Sequence, residues 1–291
     1  MTAPPRADLS LAVAAAGPGD IPLASTLALQ LGVALAPTGT DPANCDNFAL
    51  LLVVSDEVFA LRQTPVLTAG ATPGANKRNS GRPAAGRALP GPVTVEFGSD
   101  AMRHRRRSGH NELLGRAVGI AGVRHPRVLD ATAGLGRDSF VLADMGCAVT
   151  LCEREPVLAV MLAQGLQLAL TRGDEWQRQV VQRMRLFPGD ARDPIAMQAG
   201  PTDVIYLDPM FPQRDKSAAV KKEMALFQAL LASTGCQQDA EQLLLWALAQ
   251  DVARVVVKRP PRAPYLAERQ PSHSISGKAV RFDVHVRRGF A

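Results

Sequence analysis

From Arg127 onward the chain alternates short strand-like runs with longer helix-like ones, and no other feature constrains the fold as tightly. Arg127–Asp130, Cys147–Cys152, Met184–Phe187, Val204–Leu207 and Arg254–Lys258 read as strands. Asp138–Met145, Pro156–Leu170, Ser217–Leu231 and Ala240–Gln250 read as helices, with Pro156 at a favoured first-turn position. His273–Ser276 and Arg281–Val286 predict a closing hairpin. Strands and helices in alternation call for an α/β fold, a mostly parallel sheet with helices on both faces. In such sheets a ligand sits outside the carboxyl ends of the strands, where the strand order reverses.

Ahead of this pattern, residues 1–97 read as a small α+β module and residues 98–291 as the main domain. Leu9–Ala16 is apolar, Pro22–Leu35 has helical spacing, and Phe48–Val54 with Glu57–Arg62 predicts a hairpin around Ser55 and Asp56. Thr64–Pro92 is dense in Gly, Pro and Ala and without period, which predicts a disordered insert whose basic residues keep it solvated. Val93–Phe97 resumes as a strand, and Ala101–Val118 reads as one basic helix leading into the main domain.

Two motifs fall at predicted strand ends. In the first, Val128-Leu129-Asp130 runs into Ala131-Thr132-Ala133-Gly134-Leu135-Gly136-Arg137-Asp138, a strand, a glycine turn and a helix start. Gly134 and Gly136 allow a sharp bend and a close approach of ligand to backbone. A plain strand-to-helix turn would explain an isolated match. Here, however, an acid follows at the end of the next strand, Glu153 in Leu151-Cys152-Glu153-Arg154, about twenty residues on, where a nucleoside-binding carboxylate accepts from ribose hydroxyls. Asp130 separates the two nucleoside cofactors that remain. It would repel a pyrophosphate, but it would attract the ammonium and sulfonium of S-adenosylmethionine. The turn also lacks the third glycine of a dinucleotide fingerprint.

The second motif is Asp203-Val204-Ile205-Tyr206-Leu207-Asp208-Pro209-Met210-Phe211-Pro212. An apolar strand ends in an acid, followed by a rigid proline turn and an aromatic ring. Asp208 and a turn carbonyl would accept the two N–H bonds of an exocyclic amine on a flipped base, Pro209 would fix the turn, and Phe211 would stack on the base. Methyl transfer from a cationic donor requires orientation and charge placement more than a strong base.

These segments, together with Lys216-Ser217-Ala218, Val220-Lys221-Lys222-Glu223, Val255–Pro260 and Ala101–Arg106, resemble the bacterial RsmJ family over Val93 to the C-terminus. The resemblance implies a Rossmann-like class I S-adenosylmethionine-dependent methyltransferase fold. It also implies methylation of the N2 of one guanosine near the 3′ end of 16S ribosomal RNA, free or within the 30S subunit. Carried over residue by residue, it implies donor contacts at Arg137, Asp138, Glu153, Arg154, Asp190, Ala191 and Asp208, beside Asp130, Gly134 and Gly136. Where the family often has small hydroxyl residues, this chain has Asp190-Ala191; an Asp there would suit the adenine amino group.

Charge agrees with a polyanionic partner. Lys and Arg number 33 against 27 Asp and Glu, for a net charge of +6, and each phosphate neutralised releases counterions. Arg103, Arg105 and Arg106 on the basic helix, Lys216, Lys221 and Lys222 after the proline turn, and Lys258 at a strand end are the candidate RNA contacts; Lys258 could equally pair with an acid. The 4 cysteines form no C-x-x-C pair, so no zinc site is expected, and reduced thiols fit a cytoplasmic protein. No apolar stretch is long enough for a membrane span or has a signal-peptide pattern. Two other function classes stay open on the residues alone: an amino-methyltransferase acting on adenine N6 in nucleic acid, and an NAD-dependent oxidoreductase.

Overall fold

The computed structural model describes residues 10–70, 89–107, 112–198, 200–209, 225–231 and 239–290. The chain divides into two compact units, the smaller comprising residues 1–94 with 212–237, the larger 95–211 with 238–291.

In the smaller unit the apolar run becomes strand β1 (Leu11–Ala15), then helix α1 (Ile21–Leu31) and a two-residue strand β2 (Ala34–Leu35). Pro22 lies in the first turn of α1, and Gly32 ends the helix at φ 65°, a left-handed conformation that only glycine adopts readily. Strands β3 (Leu50–Val54) and β4 (Phe59–Gln63) form the expected hairpin. Ser55 Oγ accepts from the amides of Glu57 and Val58 and so closes the turn. The five-stranded sheet runs β2-β1-β3-β4-β5, where β5 is Val93–Thr94. Ala12, Ala14, Ala36, Cys45 and Leu51 pack together on it. Two local readings change. Pro65–Gly70 is a helix (α2) at the start of the predicted insert, and Val93–Phe97 pairs only over its first two residues. Residues 71–88 of the insert lie outside the described residues.

The larger unit opens with α3 (Asp100–Arg107) and α4 (Glu112–Val118), both within the span read as one basic helix; residues 108–111 lie outside the described residues. Strand β6 (Val128–Asp130), helix α5 (Arg137–Asp144), strand β7 (Val149–Glu153), helices α6 (Pro156–Arg172) and α7 (Glu175–Val181), strand β8 (Met184–Pro188), helix α8 (Pro194–Gln198) and strand β9 (Val204–Leu207) follow in alternation. Helix α9 spans 225–231 and belongs with the smaller unit. Helix α10 (Ala240–Ala249), β10 (Arg254–Arg259), β11 (His273–Ser276) and β12 (Arg281–Val286) complete the chain.

The seven strands are ordered β11-β12-β10-β9-β6-β7-β8. All pairings among β8, β7, β6, β9 and β10 are parallel, and β12 runs antiparallel to both β10 and β11. From β6 the chain winds outward through β7 and β8, then returns to place β9 on the other side of β6. The strand order therefore reverses between β6 and β9, which is where a doubly wound sheet opens a ligand crevice. The central strands β6, β7, β9 and β10 are largely buried on both faces: Leu129, Leu151, Ile205, Leu207, Val255 and Val256 are fully enclosed. That explains why their sequences read as continuous apolar runs rather than as alternation.

At Gly136 backbone conformation and packing both call for glycine. Its φ is 70°, and a Cβ there would lie 2.8 Å from Leu162 Cδ1 and 3.1 Å from the Phe97 ring. Gly136→Ala should therefore destabilise the larger unit by about 2 kcal/mol, through backbone strain and crowding together. Urea denaturation reads this directly; a loss below about 0.5 kcal/mol would mean the loop relaxes freely.

Candidate functional site

Because β6 and β9 are neighbours in register, Asp130 lies opposite Tyr206 and the two strand ends open side by side. The loop after β6 is tied to both neighbours. Ala131 N donates to Tyr206 O at 3.0 Å and Ala133 N to Cys152 O at 3.0 Å. Thr132 Oγ1 accepts from Asp208 N at 2.7 Å, and Gly134 N donates to Glu153 Oε2 at 2.7 Å. One short turn thus fixes the ends of three strands, β7, β6 and β9. Gly134 takes φ 54°, and a Cβ on it would meet nothing nearer than Thr132 O at 4.0 Å. Its glycine is required by conformation, and the space beside it is open for a ligand.

Acidic groups converge on this turn. Asp130 is buried, with Oδ2 accepting from Ser139 Oγ at 2.5 Å and Oδ1 from Thr132 N at 3.1 Å. Burial raises its pKa to about 7 despite those two donors, with Asp138 and Asp208 adding to the rise. Glu153, also buried, accepts from Gly134 N and, at 2.7 Å, from Glu155 N. Burial raises its pKa to about 7 as well, against the pull of those two amides. Each carboxylate oxygen has a second lone pair, so both acids can accept further hydrogen bonds.

Lys258, at the end of β10, holds the next pair. Its Nζ donates to Asp138 Oδ2 at 2.6 Å and to Asp208 Oδ2 at 2.7 Å. Burial opposes the charge, but the two carboxylates outweigh it and hold the ammonium pKa above its ordinary value. The Tyr206 hydroxyl also donates to Asp138 Oδ2, at 2.7 Å. Burial, reinforced by Asp138 and Asp208, pushes the phenol pKa well up, so Tyr206 stays protonated. The Asp208 side chain retains 39% exposure, and a substrate can reach it. Pro209 beside it is buried.

The end of β8 contributes a separate ion network. Arg192 bonds both oxygens of Asp190, at 2.9 and 2.5 Å, and also pairs with Asp239 at 2.5 Å. Arg154 pairs with Asp239 at 2.7 Å and with Asp190 at 3.6 Å. The Arg192 hydrogen bond is the main reason that the Asp190 pKa is lowered. Asp190 and Arg154 are thus locked to each other's neighbours, and Ala191 is buried beside them. Arg137 is exposed at the start of α5.

The structure therefore brings Asp130, Gly134, Gly136, Asp138, Glu153 and Asp208 to one place. Lys258, a candidate RNA contact that could equally pair with an acid, engages two carboxylates through its ammonium. Arg103 pairs with Asp174 at 2.7 Å and Arg106 with Asp144 at 3.1 Å. Both guanidiniums flank the Trp176 ring, at 4.8 and 5.1 Å from its centroid, so each is engaged within the chain where a phosphate contact was expected. The side chain of Arg105, and Phe211, Lys216, Lys221 and Lys222, lie outside the described residues. Thr132, Ser139, Tyr206 and Arg192 were missed as site residues. For Tyr206 a signal existed: it lies two residues before Asp208, on the same face of the strand.

Cys45, Cys147 and Cys152 are free and buried, and burial pushes the thiols of Cys147 and Cys152 up to about 12. Among the described residues no group of three or more His, Cys, Asp or Glu is arranged to hold a metal ion. No described helix is long and apolar enough to cross a membrane.

Comparison with known proteins adds to this geometry. Residues 84–287 match the family described as "Putative SAM-dependent methyltransferase". A protein of Thioalkalivibrio sulfidiphilus named ribosomal RNA small subunit methyltransferase J is 54% identical over 201 residues, 68% of this chain and 77% of its own length. One of the same name from Marinobacter nauticus is 42% identical over 280 residues, 94% of this chain and 91% of its own. A solved SAM-dependent methyltransferase from Neisseria gonorrhoeae superposes with a TM-score of 0.64 at 30% identity, covering 96% of this chain and 97% of its own.

The two raised carboxyl groups set a pH dependence. Their pKa values lie near 7 in the folded protein and near 4 when unfolded. Between those values the folded state binds protons that the unfolded state does not, so their contribution favours folding at low pH and is lost as pH rises through 7. Asp130→Asn removes one such group and should raise the melting temperature of the ligand-free protein at pH 8 by roughly 3–6 °C. At pH 5 the gain should shrink to about a third; a variant that melts below the parent at pH 8 would show that the buried charge is compensated.

Proposed function

We propose a reaction for a chain that belongs to the family of ribosomal RNA small subunit methyltransferase J: transfer of a methyl group from S-adenosylmethionine to the exocyclic N2 of a guanosine in 16S ribosomal RNA. The larger unit has the Rossmann-like class I S-adenosylmethionine-dependent methyltransferase fold. The observation that carries the reading is the side-by-side placement of Asp130 and Asp208 at the tips of β6 and β9, with the Thr132–Asp208 hydrogen bond fixing one to the other.

The residues present fit this cofactor. The open face at Gly134 gives backbone approach, Glu153 at the end of β7 offers carboxylate oxygens to a ribose diol, and Asp130 with Asp138 supplies negative charge for a cationic ligand. When bound, S-adenosylmethionine supplies an electrophilic methyl group on a sulfonium. The remaining work falls to the chain. Asp208 accepts an N–H of the target amine and so aims the nitrogen lone pair. After the nitrogen has gained its methyl group, the Asp208 carboxylate takes up the proton it sheds. Lys258 donates to Asp208 and fixes its direction, while Tyr206 and Lys258 together hold Asp138. Pro209 stiffens the turn, and Phe211 offers its ring to the extruded base. The substrate is small-subunit RNA, free or assembled, in the cytoplasm.

Asp208→Ala should lower turnover on 16S RNA at least 100-fold, with circular dichroism and melting unchanged. Tritium transfer from labelled donor, followed by mass mapping of the product nucleotide, checks both rate and base. Near-normal turnover would remove Asp208 from its role, and label on adenine would replace the guanine assignment. Donor affinity should also fall as pH drops from 8 to 6, because a cationic ligand needs Asp130 ionised. Calorimetric titration showing affinity flat across that range would dissociate Asp130 from donor binding.

A further inference from the structure

We infer that a cleft between α4 and the edge strand β11 binds backbone phosphates of the RNA substrate. The inference rests on the rRNA reading above and adds a second contact, away from the methyl-transfer site. The cleft has a volume of about 540 Å³, and its lining includes Arg116, Arg124, Arg254, His273, Ser274 and Ser276 with no acidic side chain.

The arginines here differ from four others in the larger unit. Arg103, Arg127, Arg192 and Arg281 each pair with an aspartate. Among the described residues, two arginines of the cleft donate to neutral acceptors: Arg124 Nε to Gly119 O at 3.0 Å and Arg254 Nη1 to Ala117 O at 3.1 Å. Both guanidiniums stack on one ring, with their central carbons 4.5 and 4.6 Å from the centroid of Phe290. Arg254 Nε is buried with no acceptor. Gly119 makes this close approach possible: at φ 91°, it would carry a Cβ only 2.7 Å from the Phe290 ring and 2.9 Å from Arg254 Cζ. Two cations share one aromatic support, with a third exposed on the lining and no counter-charge, and a phosphate is the ligand that balances them. Burial and the neighbouring Arg124 both lower the Arg254 pKa, as expected for positive charge without compensation.

Register gives the cleft a direction. Arg254 is level with Val204 at the start of β9, while Ser276 is level with Arg281 and through it with Arg259. The lining thus extends along the sheet edge by about 17 Å of strand, from the amino-terminal end toward the end that carries Asp208. A single nucleotide does not span that length, whereas a strand whose base is held at Asp208 can lay its backbone along it.

The test uses the full chain with a single-stranded RNA oligonucleotide of arbitrary sequence, followed by fluorescence anisotropy over a range of salt, and in parallel methyl transfer to 16S RNA. The variants are Arg116→Glu, on an exposed side chain, and Arg116→Glu with Arg124→Gln. The oligonucleotide Kd should rise at least tenfold in the double variant, and the slope of log K against log salt should shrink by about one unit for each contact removed. Donor Kd and the melting temperature of Arg116→Glu should stay unchanged, and KM for 16S RNA should rise with little change in kcat. Wild-type affinity and salt slope in both variants, or no oligonucleotide binding by the parent chain, would overturn the cleft assignment. The two readings separate cleanly. A parent that methylates 16S RNA while both variants bind RNA normally sinks only the cleft. A parent that methylates no ribosomal RNA, yet loses oligonucleotide binding on Arg116→Glu, supports the cleft and sinks the rRNA reading.

Discussion

The Lys258 ammonium, set between Asp138 and Asp208, is what allows several carboxylates to gather at one end of a sheet. Both acids place an oxygen within 2.7 Å of the same nitrogen, so the two oxygens stand within about 5 Å of each other, where like charges repel by roughly 3 kcal/mol at an effective dielectric near 20. Asp130 lies close enough to feel both. Without a cation at the end of β10, one of these acids would have to protonate or turn away. With it, Asp208 is paired yet partly exposed, and Asp138 Oδ2 accepts from both Lys258 and Tyr206. The remaining strain falls on Asp130 and Glu153, whose burial raises their pKa values to about 7. A ligand carrying positive charge relieves that strain, and this is a physical reason for the site to prefer a sulfonium donor.

The glycine turn after β6 transmits this arrangement to the backbone. It bonds to β7 through Cys152 and Glu153 and to β9 through Tyr206 and Asp208. A shift in any one strand end would therefore move the others. Beneath it, Phe97 stacks on Phe140 at 5.2 Å, and Phe140 meets Trp176 edge-on at 5.4 Å, so helices α5 and α7 are fixed against the same turn. Arg103 and Arg106 finish that cluster by covering Trp176 while pairing with Asp174 and Asp144. Their role is to close the outer side of the aromatic packing. The lining of the cleft between β11 and α4, by contrast, includes three arginines and no acidic side chain.

Much of the site was legible in the linear order of residues. The acid at the end of β6, the two glycines, the acid at the end of β7 and the acid-proline turn after β9 each occupy the place that the strand pattern assigned them. The reason is local: a strand that ends in an acid, followed by a glycine that must take positive φ, specifies its own turn. The partners of Arg103, Arg106 and Lys258 were not legible, because a run of basic residues carries no record of what it pairs with. Arg103 and Asp174 are far apart in the chain, as are Lys258 and Asp138, and an ion pair across such distances has no local signature.

The sequence by itself determined the α/β alternation, the turn chemistry and the identity of the groups at each strand end, because these depend on neighbours a few residues away. Only the tertiary structure decided the strand order that sets β6 beside β9, the recruitment of Lys258 to the acids, and the assignment of residues 212–237 to the smaller unit. Those are choices among long-range contacts. They are settled by which apolar faces bury one another and which charges find a partner, and the spacing of residues along the chain does not encode either.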